Sequence, residues 1–203
     1  MGNGLKVSLW ALMVVMAVGV GLYALFFFVF DFLNPTFQAR FETTPISARL
    51  HIIPGGIALM LGGFQFSRQL RTRYPVWHRR LGTMYVAAVA LGGLGGLLLA
   101  FTAYGGSVNG LGFGCLAVLW LYSLVQAYRY ARGKDWRNHQ RWMIRNYALT
   151  LAAVTLRIEL PLLQMAGGMT FDQAYATIAW MCWIPNLVLA EWLFVERLKL
   201  PNS

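Results

Sequence analysis

Six runs of predominantly apolar residues, each about 20 or more long, divide this chain: 8–30, 46–66, 81–103, 110–131, 142–164 and 173–195. At 1.5 Å per residue, about 20 helical residues cross the roughly 30 Å hydrocarbon core of a bilayer. Lipid offers no hydrogen bonds, so a spanning segment must satisfy its own backbone, which runs of this length do as α-helices. The sequence therefore predicts an all-α polytopic membrane protein: one transmembrane domain over residues 1–203, built as a six-helix bundle. Only 12% of residues are charged, against about 25% in soluble domains. No stretch is left over for a soluble domain. The first run exceeds a signal-peptide core and ends in Phe26-Phe27-Phe28-Val29-Phe30-Asp31 rather than at small residues, so it is expected to be a retained span. Lys6 stands where a myristoylation start needs Ser or Thr.

The 17 Lys and Arg residues are distributed unevenly around these runs. Lys6, Arg68, Arg71, Arg73, Arg79, Arg80, Arg129, Arg132, Lys134, Arg137, Arg141, Arg145, Arg197 and Lys199 fall on one side; only Arg40 and Arg49 fall on the other. The positive-inside rule makes the first set cytoplasmic and, with six spans, puts both termini there. A cytoplasmic (inner) membrane is the expected location. The net charge of +10 thus points to anionic lipid headgroups rather than nucleic acid. Residues 31–45 are polar and proline-punctuated and read as an outer loop; Gly105-Gly106 and Gly167-Gly168 read as tight turns. Tyr74, Trp77, Trp136 and Trp142 read as interfacial anchors. Cys115 and Cys182 lack paired spacing and read as small buried hydrophobes.

Helical phase, at about 100° per residue, places the polar residues. On the second span His51, Gly55, Ala58, Gly62 and Gln65 share one line. On the third, Gly82, Tyr85, Gly92 and Gly96 lie below His78. On the fifth, His139, Asn146, Thr150 and Arg157 form a narrow stripe. Such stripes are poor lipid-facing surfaces, so spans two, three and five are expected to turn them toward a common interior. His78 and His139 are expected just before spans three and five, at similar cytoplasmic depth.

Two readings of the stripes compete. Gly92 and Gly96 can form a small-xxx-small contact between helices joined by polar hydrogen bonds. Alternatively, a glycine-lined groove admits one b-type haem ligated by His78 and His139, with Arg79, Arg80, Arg141 and Arg145 near its propionates. His51 and Arg157 suggest an outer pocket for an anion, quinone or headgroup. Arg157 needs a partner at its depth, such as Glu159, an anionic ligand, backbone carbonyls or another span. Glu159 lies about 200° away around the helix and is expected to serve a different neighbour. Asn186 and Glu191 polarise the sixth span, and an ion pair between Glu191 and Arg141 or Arg145 is the simplest expectation. No P-loop, Rossmann fingerprint, HExxH or Ser/His/Asp set is present, and no enzyme class is assigned.

Four stretches carry a family likeness: His51 through Gly63-Phe64-Gln65-Phe66; Trp77-His78-Arg79-Arg80-Leu81-Gly82-Thr83-Met84-Tyr85; His139-Gln140-Arg141-Trp142-Met143-Ile144-Arg145-Asn146-Tyr147 on to Thr155-Leu156-Arg157; and Trp183-Ile184-Pro185-Asn186-Leu187 through Glu191-Trp192. In these the chain resembles the bacterial membrane-protein family catalogued as domain of unknown function 2306. The resemblance implies that the residues named above belong to the family pattern, and it implies no activity. A looser likeness is to six-helix b-type cytochromes. Those holding two haems use four histidines, and this chain has 3, so one haem is the natural version. The expected function is a redox protein with one b-type haem and a quinone or redox partner. The alternatives are a small transporter or lipid- or anion-binding protein using His51 and Arg157, or a structural subunit of a larger complex.

Overall fold

The computed structural model describes residues 3–29 and 41–198, and among these the chain is helical with no strand. The elements are α1 (Asn3–Phe26), α2 (Pro45–Gln65), α3 (Arg68–Arg73), α4 (Pro75–Ala100), α5 (Ser107–Arg132), α6 (Trp136–Thr150), α7 (Ala152–Met165), α8 (Phe171–Met181) and α9 (Ile184–Ala190). A π-helical turn, Glu191–Val195, and a 3₁₀ turn, Glu196–Leu198, follow α9. Six spans result: Val7–Phe26, Pro45–Gln65, Pro75–Ala100, Ser107–Arg132, Trp136–Met165 and Phe171–Val195. From 22% to 33% of the apolar stretch of each is fully buried.

The boundaries differ from the apolar runs for identifiable reasons. The third span starts at Pro75, six residues early, because proline suits the first helical position. The fifth starts at Trp136, where Asp135 caps it: the Asn138 backbone N–H donates to Asp135 Oδ1 at 3.0 Å. His78 and His139 therefore sit inside helices, not before them. The Arg-rich first turns escape an apolar count because long basic side chains reach back to the interface. The first helix ends at Phe26 rather than residue 30. Most of the outer loop assigned to 31–45 lies outside the described residues, as do Arg40 and Lys199. Gly105, Gly106 and Gly168 have φ of 81°, 82° and 62°, as tight turns favour.

The chain divides into two compact units, Met1–Gly92 and Gly93–Ser203. In the first, α1 and α2 run antiparallel at close range. A Cβ on Gly56 would lie 2.9 Å from Ala24 Cβ and 3.0 Å from the Gly21 carbonyl. Without a hydrophobic drive between helices in lipid, such backbone proximity supplies the dispersion that holds them together. The Trp10 indole N–H donates to the Gly63 carbonyl at 3.2 Å and fixes the register. In the second unit α5 packs along α6, and α8 approaches α5 closely at Gly112, where an added Cβ would come 2.7 Å from the Ala179 carbonyl.

Cys182 is buried, as expected, but Cys115 is exposed. Tyr74, Trp77 and Trp136 are exposed near helix starts, as interfacial anchors require.

Two predictions follow from these contacts. Gly56→Val overpacks the α1–α2 crossing and should destabilise the protein by about 1–3 kcal/mol, read as a lowered melting temperature in mild detergent; Gly55→Val, at a position with no atom within 4 Å, should leave it nearly unchanged. At Asp135 the Asn138 backbone N–H, with the Asn138 side chain, holds the carboxyl below its ordinary 3.8. A lowered folded-state value makes this stabilisation present above about pH 4 and lost as pH falls through that lower value. The melting-temperature gap between wild type and Asp135→Ala should therefore close in acid.

Candidate functional site

The small and polar lines of spans two and three meet within the first unit. His51 Nδ1 lies 2.8 Å from the Gly92 carbonyl. A carbonyl only accepts, so this nitrogen carries the hydrogen, and in the neutral ring the lone pair is on Nε2. Buried Gln65 crosses to the start of α4. The Gln65 amide, oriented by its partners, donates to His78 Nδ1 at 2.7 Å and to the His78 carbonyl at 3.3 Å, and accepts from the Gly82 N–H at 3.2 Å. His78 in its neutral form thus carries its hydrogen on Nε2, the opposite tautomer from His51.

In the second unit the stripe of the fifth span turns to the fourth, a helix the sequence reading left out of the polar interior. Fully buried Asn146 donates through Nδ2 to the Trp120 carbonyl and to Ser123 Oγ, both at 2.8 Å. Ser123 Oγ donates to the Trp120 carbonyl at 3.0 Å. The Trp120 indole N–H donates to Thr150 Oγ1, which donates to the Asn146 carbonyl, each at 2.9 Å. The result is a closed circuit between α5 and α6. His139 extends the same seam, its Nδ1–H donating to the Ala127 carbonyl at 2.9 Å.

Spans five and six are both interrupted near their middles, at Leu151 and at Cys182–Trp183. Pro185 explains the second break, since it has no N–H to offer the Met181 carbonyl. Asn186 bridges the two breaks. Its Nδ2 meets the Ala148 carbonyl at 3.3 Å, the Cys182 carbonyl at 3.0 Å and Thr155 Oγ1 at 2.8 Å. Interrupted helices in a bilayer require this kind of side-chain satisfaction, and in transporters such breaks lie near binding sites.

On the side of these breaks toward the basic helix ends, a cleft of ≈ 380 Å³ opens within the second unit. Leu119, Leu149, Leu187 and Val188 supply its apolar lining, and Tyr122, Ser123, Trp142, Arg145 and Glu191 the rest. Arg145 and Glu191 form a bidentate ion pair: Nε to Oε2 at 2.8 Å and Nη2 to Oε1 at 2.7 Å. The Arg145 guanidinium also lies over the Trp142 ring, 4.6 Å from its centroid. Tyr122 meets Trp142 edge to face at 5.5 Å. Glu191 opens the π-helical turn, a distortion frequent at functional sites.

The expected Glu191 ion pair is therefore present, with Arg145. Arg141 instead donates to Asn138 Oδ1 and to the Leu198 carbonyl, at 3.0 and 2.9 Å. Arg79 and Arg80 are exposed, with Arg80 over Trp77. Arg157 is exposed and donates to the Ala153 carbonyl at 2.8 Å, so one of its partners is the backbone one turn back. Glu159 Oε2 is buried without a hydrogen-bond partner among the described residues. Gly92 and Gly93 are buried and Gly96 is half-buried. His78 and His51 belong to the first unit, and His139 and Arg157 to the second. Trp142, read from sequence as a belt anchor, lines the cleft beneath Arg145. Trp120, Ser123 and Tyr122 were missed because the fourth span has no charge or histidine before Arg129, near its end, to draw notice.

These spans and their internal polar seams define a multi-pass helical membrane protein. The chain belongs to the family described as predicted membrane protein (DUF2306), whose model matches residues 48–194. No curated protein and no solved structure matches it.

Asn186 gives the sharpest test of the paired breaks. Asn186→Leu keeps the volume but strands the Ala148 and Cys182 carbonyls, at about 1–3 kcal/mol for each unmet buried group. A melting temperature unchanged from wild type in detergent would remove this side chain from its structural role.

Proposed function

We propose that this protein binds a lipid-soluble ligand in the cleft of its second unit, working in a bacterial cytoplasmic membrane with both termini in the cytoplasm. The cleft carries the reading. Its volume suits a small ligand site, and its mostly apolar wall with a few convergent polar groups is the usual composition of one. The orientation rests on the strong bias of Lys and Arg to one side. This is a lipid-binding alternative to a redox role, placed at Trp142, Arg145 and Glu191 rather than at His51 and Arg157.

Val188→Trp tests the reading, because Val188 lines the cleft yet is 60% exposed, so the larger ring need not disturb the core. Wild-type protein purified in mild detergent should release an organic-extractable molecule, identified by mass spectrometry. Val188→Trp should release at least tenfold less at an unchanged melting temperature. Equal release from both would sink the proposal.

One b-type haem held by His78 and His139, with a quinone or redox partner, is a second reading. His139 favours it: its Nδ1–H is committed to the Ala127 carbonyl, which orients Nε2 as a ligand in the way that supporting hydrogen bonds do at metal sites. His78 does not fit as it stands, because the Gln65 amide donates to its Nδ1 and leaves the hydrogen on Nε2. Ligation there needs the opposite tautomer and a turned amide. Protein from haem-replete cells should show a Soret band that sharpens with an α-band on dithionite reduction if this reading holds. Colourless protein would end it.

A further inference from the structure

The charge balance of the cleft selects among lipid-soluble ligands. Arg145 is the cationic residue lining it, and Glu191 compensates it through two short hydrogen bonds. Their side chains are 20% and 34% exposed, so the pair is partly withdrawn from screening surroundings. A phosphate or carboxylate head brought to Arg145 would meet the Glu191 carboxylate less than 3 Å from the guanidinium nitrogens. Like charges in a weakly polar setting repel strongly. A cationic head would face the guanidinium in turn. An uncharged head meets neither objection.

The remaining groups describe the shape of such a head. Arg145 Nε and Nη2 are committed to Glu191, whereas Nη1 has no hydrogen-bond partner among the described residues. This leaves a cationic N–H donor for an occupant's acceptor oxygen. Tyr122 and Trp142 stand edge to face and provide aromatic surface for a flat ring. Leu119, Leu149, Leu187 and Val188 supply apolar contact for its body and tail. Resting on the cleft being a ligand site, we infer that its ligand is an uncharged, lipid-soluble molecule with a flat, carbonyl-bearing ring of the quinone type. The carbonyl oxygen accepts from Arg145, the ring lies against Trp142 and Tyr122, and the tail runs along the leucines. Glu191 acts as a positioning residue that keeps the site neutral.

Trp142 reports its own occupancy. The full-length protein in nanodiscs would be titrated with decyl-benzoquinone, and separately reconstituted with chain-brominated phosphatidylglycerol or phosphatidylcholine. In each case the tryptophan fluorescence of the Trp142→Phe variant is subtracted. The inference expects saturable, Trp142-dependent quenching by the quinone and equal quenching by the two brominated lipids. In Glu191→Gln, which leaves Arg145 uncompensated, it expects quinone affinity about tenfold weaker and brominated phosphatidylglycerol favoured over phosphatidylcholine. Wild-type quenching that favours brominated phosphatidylglycerol, with no saturable quinone component, would overturn the neutral-ring assignment while leaving a lipid ligand in the cleft. No Trp142-dependent quenching by any probe would remove the ligand site itself.

Discussion

A backbone carbonyl inside a bilayer has no water to turn to, and the second unit is organised around that constraint. Spans five and six both break at mid-depth, which would strand carbonyls in hydrocarbon at several kcal/mol each. Asn186 is placed where one amide serves the Ala148 carbonyl on α6 and the Cys182 carbonyl at the end of α8, while Thr155 binds it from α7. The amide therefore joins the halves of two interrupted helices. The α5–α6 circuit through Asn146 follows the same logic, since every donor in it ends on an acceptor of the neighbouring helix or of its own turn. Fully satisfied networks of this kind specify one packing arrangement.

The breaks also bear on where charge can sit. A lone guanidinium within the membrane is costly, and Arg145, about 13 Å along its helix from Trp136 at 1.5 Å per residue, is tolerable because Glu191 lies opposite. The π-helical turn begins at Glu191, so the local change of pitch falls at the residue that faces Arg145. Trp142 completes the arrangement by presenting its ring face to the same guanidinium. Charge compensation, aromatic surface and apolar wall thus come from three consecutive demands of burial.

Different parts of this structure were legible in the sequence to different degrees, for physical reasons. Span number and most span centres follow from apolar length alone, because lipid enforces them. Starts at Pro75 and Trp136 were hidden, since basic first turns read as loop until the proline and the Asp135 cap are weighed. The stripe on span five correctly marked Asn146 and Thr150 as interior, but phase gives a direction without a partner, and that partner proved to be span four. Trp120 and Ser123 carried little signal because a single serine or tryptophan in an apolar run is unremarkable until an asparagine is found opposite. The Glu191 pair was legible because a carboxylate and an arginine at matching depth have few other ways to be tolerated. The cleft was not, as concavity depends on how Leu119, Leu149 and Leu187 pack, and periodicity does not encode it.

The acids narrow where chemistry can occur. Of the 7 acidic residues in the chain, Glu159 and Glu191 are those well inside the spans, and both belong to the second unit. In the first unit His51 Nδ1 is engaged with the Gly92 carbonyl and Gln65 with His78. Both acids thus belong to spans five and six, where the breaks, the π-helical turn and the cleft also lie. Glu191 is already committed to Arg145, so it contributes there as a fixed counter-charge. Glu159 has one buried oxygen lacking a hydrogen-bond partner among the described residues. A cleft whose lining charges, Arg145 and Glu191, cancel is suited to holding an uncharged molecule, not to drawing an ion out of water.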